Sequence, residues 1–247
     1  MRKQFPQMTN ALGGSHILCI FALWAVAFLA VPAWLPMIGA GFFESDASIA
    51  WLEVIFCALL GLAMLLVMKA HLSDAFQELQ SGWKPIAKAS AIALVLMAAW
   101  YVLSAEVLKW MQIDIMFLVE AFPIAPTNLL MLPGAIVDAN PVAGMLCLTL
   151  LVPFGVCGMF YASVFAPVCT RSKWAGYPVV AGAVLLAALL DGYWYWGTNL
   201  AMLTLMLRLP MHLAACWAYQ KTDNVWSPIF ALIGFNLLTS VASIVMF

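Results

Sequence analysis

Charged residues are scarce in this sequence. Asp, Glu, Lys and Arg make up only 9% of its 247 residues, whereas 66% are apolar. A water-soluble globular domain is about a quarter charged and roughly half apolar. A chain of this size needs a polar surface in water, and this composition supplies too few polar side chains to cover one. The sequence therefore excludes an ordinary soluble domain and predicts an integral membrane protein.

Other features that would indicate a specific chemistry are also absent. The 10 Lys and Arg against 11 Asp and Glu give a net charge of −1, which provides no basic field for nucleic acid. The six cysteines form no CxxC pair, and the three histidines fit no helical metal spacing. The sequence has no Gly-rich phosphate loop, HExxH or GxSxG motif. We expect no nucleic-acid partner, no metal and no cofactor.

Long apolar runs are abundant instead. A transmembrane helix needs about 20 mostly apolar residues. Runs of this kind occupy 17–38, 49–68, 89–108, 142–168, 175–194, 200–219 and 225–247. A weaker run at 115–132 contains Glu120 and two prolines, with Pro133 directly after it, so we expect a broken re-entrant or interfacial segment there. The predicted fold is an all-α, polytopic membrane helix bundle of about seven transmembrane helices, with 1–247 as a single membrane domain.

The distribution of basic residues predicts the orientation of the bundle. Lys and Arg concentrate on the cytoplasmic side of membrane proteins. With the N-terminus in the cytoplasm, only Lys109 falls outside, and the residues on the cytoplasmic side are Arg2, Lys3, Lys69, Lys84, Lys88, Arg171, Lys173 and Lys221. Seven spans then place the C-terminus outside, and we expect the cell inner membrane as the location.

Two segments near the ends of the first spans carry further expectations. Run 17–38 has no small-residue cleavage motif, so we expect it to be retained as a helix. In segment 70–87, helical spacing puts apolar residues near one face and polar residues on the others, which predicts a short amphipathic helix on the cytoplasmic surface.

A few polar residues lie inside the apolar runs and need an explanation. Charges in a membrane interior are paired or face a polar cavity. We expect them to meet in one buried polar pocket, whose candidate members are Asp191, Arg208, His212, Asn236 and Glu120. One interpretation is a structural ion pair of Arg208 with Asp191 or Glu120, and the other is a site in which His212 acts as base or ligand.

The C-terminal part of the chain has an ordered set of framework residues. They are Pro153, Phe160, Lys221, Thr222, Val225, Trp226, Pro228, Ile229 and Asn236. In order and spacing, region 142–247 resembles the CAAX protease and bacteriocin-processing family of intramembrane peptidases, also called the CPBP or ABI family. The resemblance implies a helical membrane scaffold that binds a membrane-embedded or lipidated substrate.

The positions that carry the chemistry of that family are different here. Val156 and Cys157 stand where the family has two glutamates, Tyr161 replaces an arginine, and Leu232 replaces the final histidine. Asp191 stands in the place of the other histidine. The family's glutamate is taken to activate water, and general-base catalysis is worth about 10²- to 10⁴-fold in rate. The resemblance therefore implies a pseudoenzyme that has lost its catalytic set.

Three functions remain open from the sequence. The first is a non-catalytic CPBP-like scaffold or regulator that binds another membrane protein or a lipidated peptide within the lipid bilayer. The second is an intramembrane peptidase or other membrane enzyme whose polar site has moved to Asp191, Arg208, His212 and Asn236. The third is a transporter, because broken helices and buried charges often line transport sites.

Overall fold

The computed structural model describes residues 8–9, 11–26, 46–112, 146–191 and 198–246. Within these ranges the chain forms seven helices and no strand. The helices are α1 (Gly14–Ala25), α2 (Asp46–Ser81), α3 (Trp83–Trp110), α4 (147–169), α5 (Gly176–Asp191), α6 (Thr198–Thr222) and α7 (Trp226–Met246). The predicted all-α bundle is confirmed, and each helix overlaps one of the seven apolar runs. Segment 115–132, with Glu120, lies outside the described residues.

Three helices in the described ranges are long and apolar enough to cross a membrane. They are Ala58–Ser81, Trp83–Trp110 and Thr149–Cys169. Shorter apolar helices cover Gly14–Leu23, Gly176–Leu189 and Trp226–Thr239. Because a spanning helix must satisfy its backbone within an apolar segment of about 20 residues, these three helices indicate a membrane protein.

The second helix is longer than the sequence suggested. α2 continues without a break from Asp46 to Ser81, and the chain turns at Gly82 before α3 begins at Trp83. No Gly or Pro occurs between positions 62 and 81, so nothing in the sequence interrupts the helix after the apolar run ends. The expectation of a separate surface helix over 70–87 is therefore wrong. Residues 70–81 extend α2, and 83–87 form the first turns of α3.

Helix α4 departs from regular α geometry in two places. Cys147–Leu151 and Cys157–Phe165 are π-helical, and the α-helical pieces Val152–Val156 and Ala166–Cys169 follow them. Each π-helical stretch ends two residues before a proline, Pro153 or Pro167. A proline inside a helix lacks the N–H that the preceding turn needs, and its ring presses on the carbonyl four residues earlier. Local π geometry is one way for a membrane helix to accommodate this defect.

Helix α4 also occupies the centre of the bundle. It contacts α1, α2, α5, α6 and α7, while α3 packs mainly against α6 and α7 and α5 packs against α6. Gly61 allows α2 to approach α4 closely, since a Cβ atom at Gly61 would lie 2.8 Å from the carbonyl oxygen of Leu151. A Cβ at Gly158 would lie 2.9 Å from the sulfur of Met64. Small residues at helix contacts are typical of membrane bundles, where close packing replaces the hydrophobic effect.

Candidate functional site

The central helix α4 and helix α6 meet at a buried histidine. The hydroxyl oxygen of Tyr161 lies 2.9 Å from Nδ1 of His212, within hydrogen-bond distance. The ring of Phe160 packs against the imidazole edge to face, with centroids 5.2 Å apart. His212 is 3% exposed and Tyr161 is completely buried. The contact therefore satisfies two polar side chains that would otherwise be costly inside an apolar core.

Two other candidate site residues, Arg208 and Asn236, are also buried. Arg208 lies one helical turn before His212 on α6 and is buried, so the two residues share a face of that helix. Asn236 is fully buried on α7, where its backbone carbonyl accepts a hydrogen bond from Thr239 Oγ1 at 3.1 Å. The described contacts of His212 lead to α4. The convergence of Arg208, His212 and Asn236 in one pocket remains a prediction.

The two acidic candidates cannot be placed against these residues. Glu120 lies outside the described residues, and Asp191 is described only as the last backbone position of α5. The ion pairs of Arg208 with either carboxylate therefore remain predictions. Arg208 brings a positive charge one helical turn from the imidazole of His212.

Four of the positions that differ from the resembled peptidase pattern have described side chains, and these four are in the core. Val156, Cys157, Tyr161 and Leu232 are each completely buried. The nearest polar contact of the Cys157 thiol is a long one of 4.0 Å to the carbonyl of Val225. Valine and leucine cannot exchange protons, and the described contact of the thiol is with a backbone carbonyl, which does not act as a base. The hydroxyl of Tyr161 is within hydrogen-bond distance of His212.

A second group of polar contacts surrounds the turn between α6 and α7. Asn224 Nδ2 donates to the carbonyl of Ala75 at 2.8 Å, and Asn224 Oδ1 accepts from the backbone N–H of Trp226 at 3.0 Å. The indole N–H of Trp226 donates to the carbonyl of Leu72 at 3.0 Å. These bonds fasten the beginning of α7 to the extended end of α2, and they explain why residues 70–81 lie against the bundle.

Two further contacts reinforce this end of the molecule. His71 Nε2 lies 3.1 Å from the hydroxyl oxygen of Tyr219 on α6. The backbone N–H of Thr9 donates to Asp223 Oδ2 at 2.8 Å, and the Thr9 hydroxyl donates to the same oxygen. Asp223 has a φ of 52°, a left-handed conformation that Asp and Asn tolerate better than most residues. The segment before α1 is thereby tied to the α6–α7 turn.

The sequence did not predict the contact of Tyr161 with His212 or the hydrogen bonds of the α6–α7 turn. It gave His212 a role but treated Tyr161 only as a replaced family position. The Asp223–Asn224 pair before α7 is a turn and capping signal that could have been read. Its bonds to α2 join residues 149 positions apart, and no local pattern identifies such a partner.

The arrangement holds side chains in place more clearly than it prepares a reaction. In the part of the chain that the structure describes, no three His, Cys, Asp or Glu side chains could hold a metal ion. The cysteines described there, at positions 19, 157, 169 and 216, are free thiols. No family model matches this chain, and no curated protein and no solved structure matches it either.

Proposed function

We propose that this protein is a non-catalytic membrane protein that binds a membrane-embedded or lipidated partner, with a CPBP-like region at 142–247. Its place is the cell inner membrane, with the N-terminus in the cytoplasm. The partner is another membrane protein or a lipidated peptide. The proposal makes the chain a scaffold or regulator within the bilayer.

One observation carries the non-catalytic part of this proposal. Five positions that carry the chemistry of the resembled family differ here, and the side chains of four are described: Val156, Cys157, Tyr161 and Leu232, none of which has exposed surface. A peptidase must bring water and a peptide carbonyl to its general base. Apolar side chains packed at 0% exposure provide neither a base nor room for the reactants.

The surface for the partner cannot lie beside Phe160 and Tyr161, because both are packed around His212. An open apolar groove of about 590 Å³ lies instead on the outer face of α3. Its lining residues are Val95, Ala98, Ala99, Val102, Leu103 and Glu106. Alanines allow a partner helix to approach closely in a membrane.

The positions of basic residues support the proposed orientation. In the described ranges, the exposed basic residues Lys84 and Lys88 lie at the beginning of α3, and Lys109 lies at its other end, where it pairs with Glu106 at 2.7 Å. Ser90 Oγ donates to the carbonyl of Ser227 at 2.9 Å, so the beginning of α3 is at the same end as the α6–α7 turn. Lys221 precedes that turn. Lys84, Lys88 and Lys221 thus lie at one end of the bundle, and Lys109 lies at the other end.

Photocrosslinking within native membranes tests the partner proposal. A benzophenone amino acid placed at Val102, in the groove, should give one discrete crosslinked product that is a membrane or lipidated polypeptide. The matched control is Leu66 on α2, which is 75% exposed, more than the 62% of Val102, and also apolar. No product from Val102, or the same product from Leu66, would contradict a partner bound at the α3 groove.

An enzyme with a relocated site is the second candidate. The buried pairing of His212 with Tyr161, one turn from Arg208, is the observation that favours it. Purified wild-type protein reconstituted in vesicles should leave membrane-embedded peptides intact if the first proposal holds. Cleavage that disappears in His212→Ala, and persists in Cys157→Ala, would instead establish the relocated enzyme.

A further inference from the structure

The loop between α4 and α5 is held rigidly over the last turn of α6. Gln220 of α6 is completely buried, and its Nε2 donates to the carbonyl of Lys173 at 2.6 Å. Its Oε1 accepts from the hydroxyl of Tyr177 in the first turn of α5, at 2.8 Å. Within the loop, the N–H of Ser172 donates to the carbonyl of Val168 at 3.0 Å. One buried glutamine therefore fixes the loop beside Lys221, the next residue of α6.

Three basic residues lie on the segments that this contact joins, two in the loop and one in the last turn of α6. Arg171, Lys173 and Lys221 are exposed, and we call them the basic patch. None of the three forms an ion pair within the described residues. The sequence contains no Asp or Glu from 139 to 190 or from 192 to 222, and the carboxylate of Asp223 binds Thr9. The loop and the last turn of α6 thus carry three cations against one carboxylate, that of Asp223, which keeps its negative charge while it accepts from Thr9.

An aromatic residue at the same place indicates the depth of the patch in a membrane. Trp174 lies between Lys173 and the start of α5, and it is 54% exposed. Its ring packs against Tyr177 with centroids 6.1 Å apart. The spanning helix Thr149–Cys169 ends directly before this loop. Tryptophan and tyrosine collect at the headgroup level of bilayers, so the patch lies where lipid phosphates are found.

We propose that the basic patch is a binding site for the phosphate headgroup of an anionic phospholipid, with Trp174 packed against the glycerol region. Arginine can bind a phosphate through two parallel hydrogen bonds, and the two lysines add point charges. Each juxtamembrane Lys or Arg strengthens the attraction to an anionic leaflet by about 5-fold. Because the loop is already fixed by Gln220, binding does not have to order it. The inference is independent of the partner proposed above.

Titration of the full-length protein in detergent micelles with brominated lipids tests this site. Brominated phosphatidylglycerol should quench the fluorescence of Trp174 at lower concentration than brominated phosphatidylcholine, and the signal assigned to Trp174 is the difference from Trp174→Phe. Replacing all three residues of the patch with Gln should weaken phosphatidylglycerol binding about 100-fold, or roughly 5-fold for each charge. Raising the salt concentration should weaken wild-type binding, because exposed charges are screened.

The matched control removes the same number of charges from the same end of the molecule. It replaces three exposed lysines that are outside the patch, namely Lys69→Gln, Lys84→Gln and Lys88→Gln. This control should retain phosphatidylglycerol binding within about 5-fold, the effect of one charge. Equal loss in both triple variants would mean diffuse surface attraction and would overturn the site. Competition by inorganic phosphate as strong as that by the lipid, or no preference over phosphatidylcholine, would overturn the lipid assignment.

Thermal melting of the two triple variants separates binding from folding. All substituted side chains are exposed, so both variants should unfold within a few degrees of wild type. If the patch variant unfolds early, Arg171→Gln alone serves as the second test, with an expected loss of about 5-fold. Unchanged phosphatidylglycerol affinity in a folded single or triple variant would refute the proposal.

Discussion

Replacing Tyr161 with Phe removes a single oxygen atom from the buried contact with His212. The hydroxyl lies 2.9 Å from Nδ1, and both residues are within the core. Without it, Nδ1 loses the described partner that satisfies it. Leaving a buried polar group unsatisfied costs about 1–3 kcal/mol in proteins, whereas hydrogen bonds between membrane helices average only about 0.6 kcal/mol with a maximum near 1.7. We expect Tyr161→Phe to lower the free energy of unfolding by about 1–2 kcal/mol.

A double-mutant cycle isolates the pair from other effects. His212→Phe keeps an aromatic ring beside Phe160 but leaves the hydroxyl of Tyr161 without this acceptor. The double variant removes both polar groups, so it should be less destabilised than the sum of the single variants. The expected coupling is about 1 kcal/mol, at the upper part of the range for membrane helices.

Unfolding by sodium dodecyl sulfate, followed by tryptophan fluorescence in mixed micelles, measures the four free energies. Coupling below about 0.3 kcal/mol would be additive behaviour and would refute the argument that the pair stabilises the packing of α4 on α6. Any hydrolytic activity of the wild type should be measured in the same samples. Activity lost in Tyr161→Phe at unchanged stability would favour the enzyme candidate over a structural pair.

Three further predictions concern packing, the α6–α7 turn and orientation. Gly61→Ala should destabilise the protein by about 1–3 kcal/mol because the new Cβ meets the backbone of α4, whereas Gly182→Ala, with nothing within 4 Å, should be neutral or gain up to about 1 kcal/mol in the same unfolding assay. Equal effects would contradict the close approach. Asn224→Ala should cost about 2 kcal/mol, since it removes a cap of about 1 and a buried hydrogen bond of about 1, and a loss below about 0.5 would argue against its role. Single cysteines at Gln80 and Trp110, at opposite ends of the hairpin that α2 and α3 form, should react with membrane-impermeant reagents from opposite sides, and labelling from one side would reject the topology.

The sequence predicted the helices because their main determinant is one-dimensional. Apolar runs of spanning length report directly on burial in lipid, and all seven correspond to helices in the described ranges. The extent of α2 could not be obtained this way. Its segment 70–81 has mixed polarity, and it is helical against the bundle because Asn224 and Trp226 bind its carbonyls from far along the chain.

The candidate site was only partly accessible to sequence reasoning, for a related reason. Polar residues in apolar runs identified Arg208, His212 and Asn236 as buried, and they are. The partner of His212 is 51 residues away and lies on a π-helical stretch, where the usual helical periodicity does not predict which side chains face inward. Phe160 and Tyr161 are consecutive, and both contact the imidazole.

The π-helical stretches of α4 make this helix shorter than an α-helix with the same number of residues would be. A π-helical ladder bonds each residue to the fifth one along, so its turns contain more residues than those of an α-helix. If Cys157–Phe165 became α-helical, the same residues would form a longer segment with fewer residues in each turn. No residues from the neighbouring loops would have to join the helix. The side of α4 that faces α6 would then rotate, and Tyr161 would leave His212. Pro167 has no N–H to donate to the carbonyl of Ser163 in a regular ladder, so the sequence itself removes one of the bonds that such a change would form.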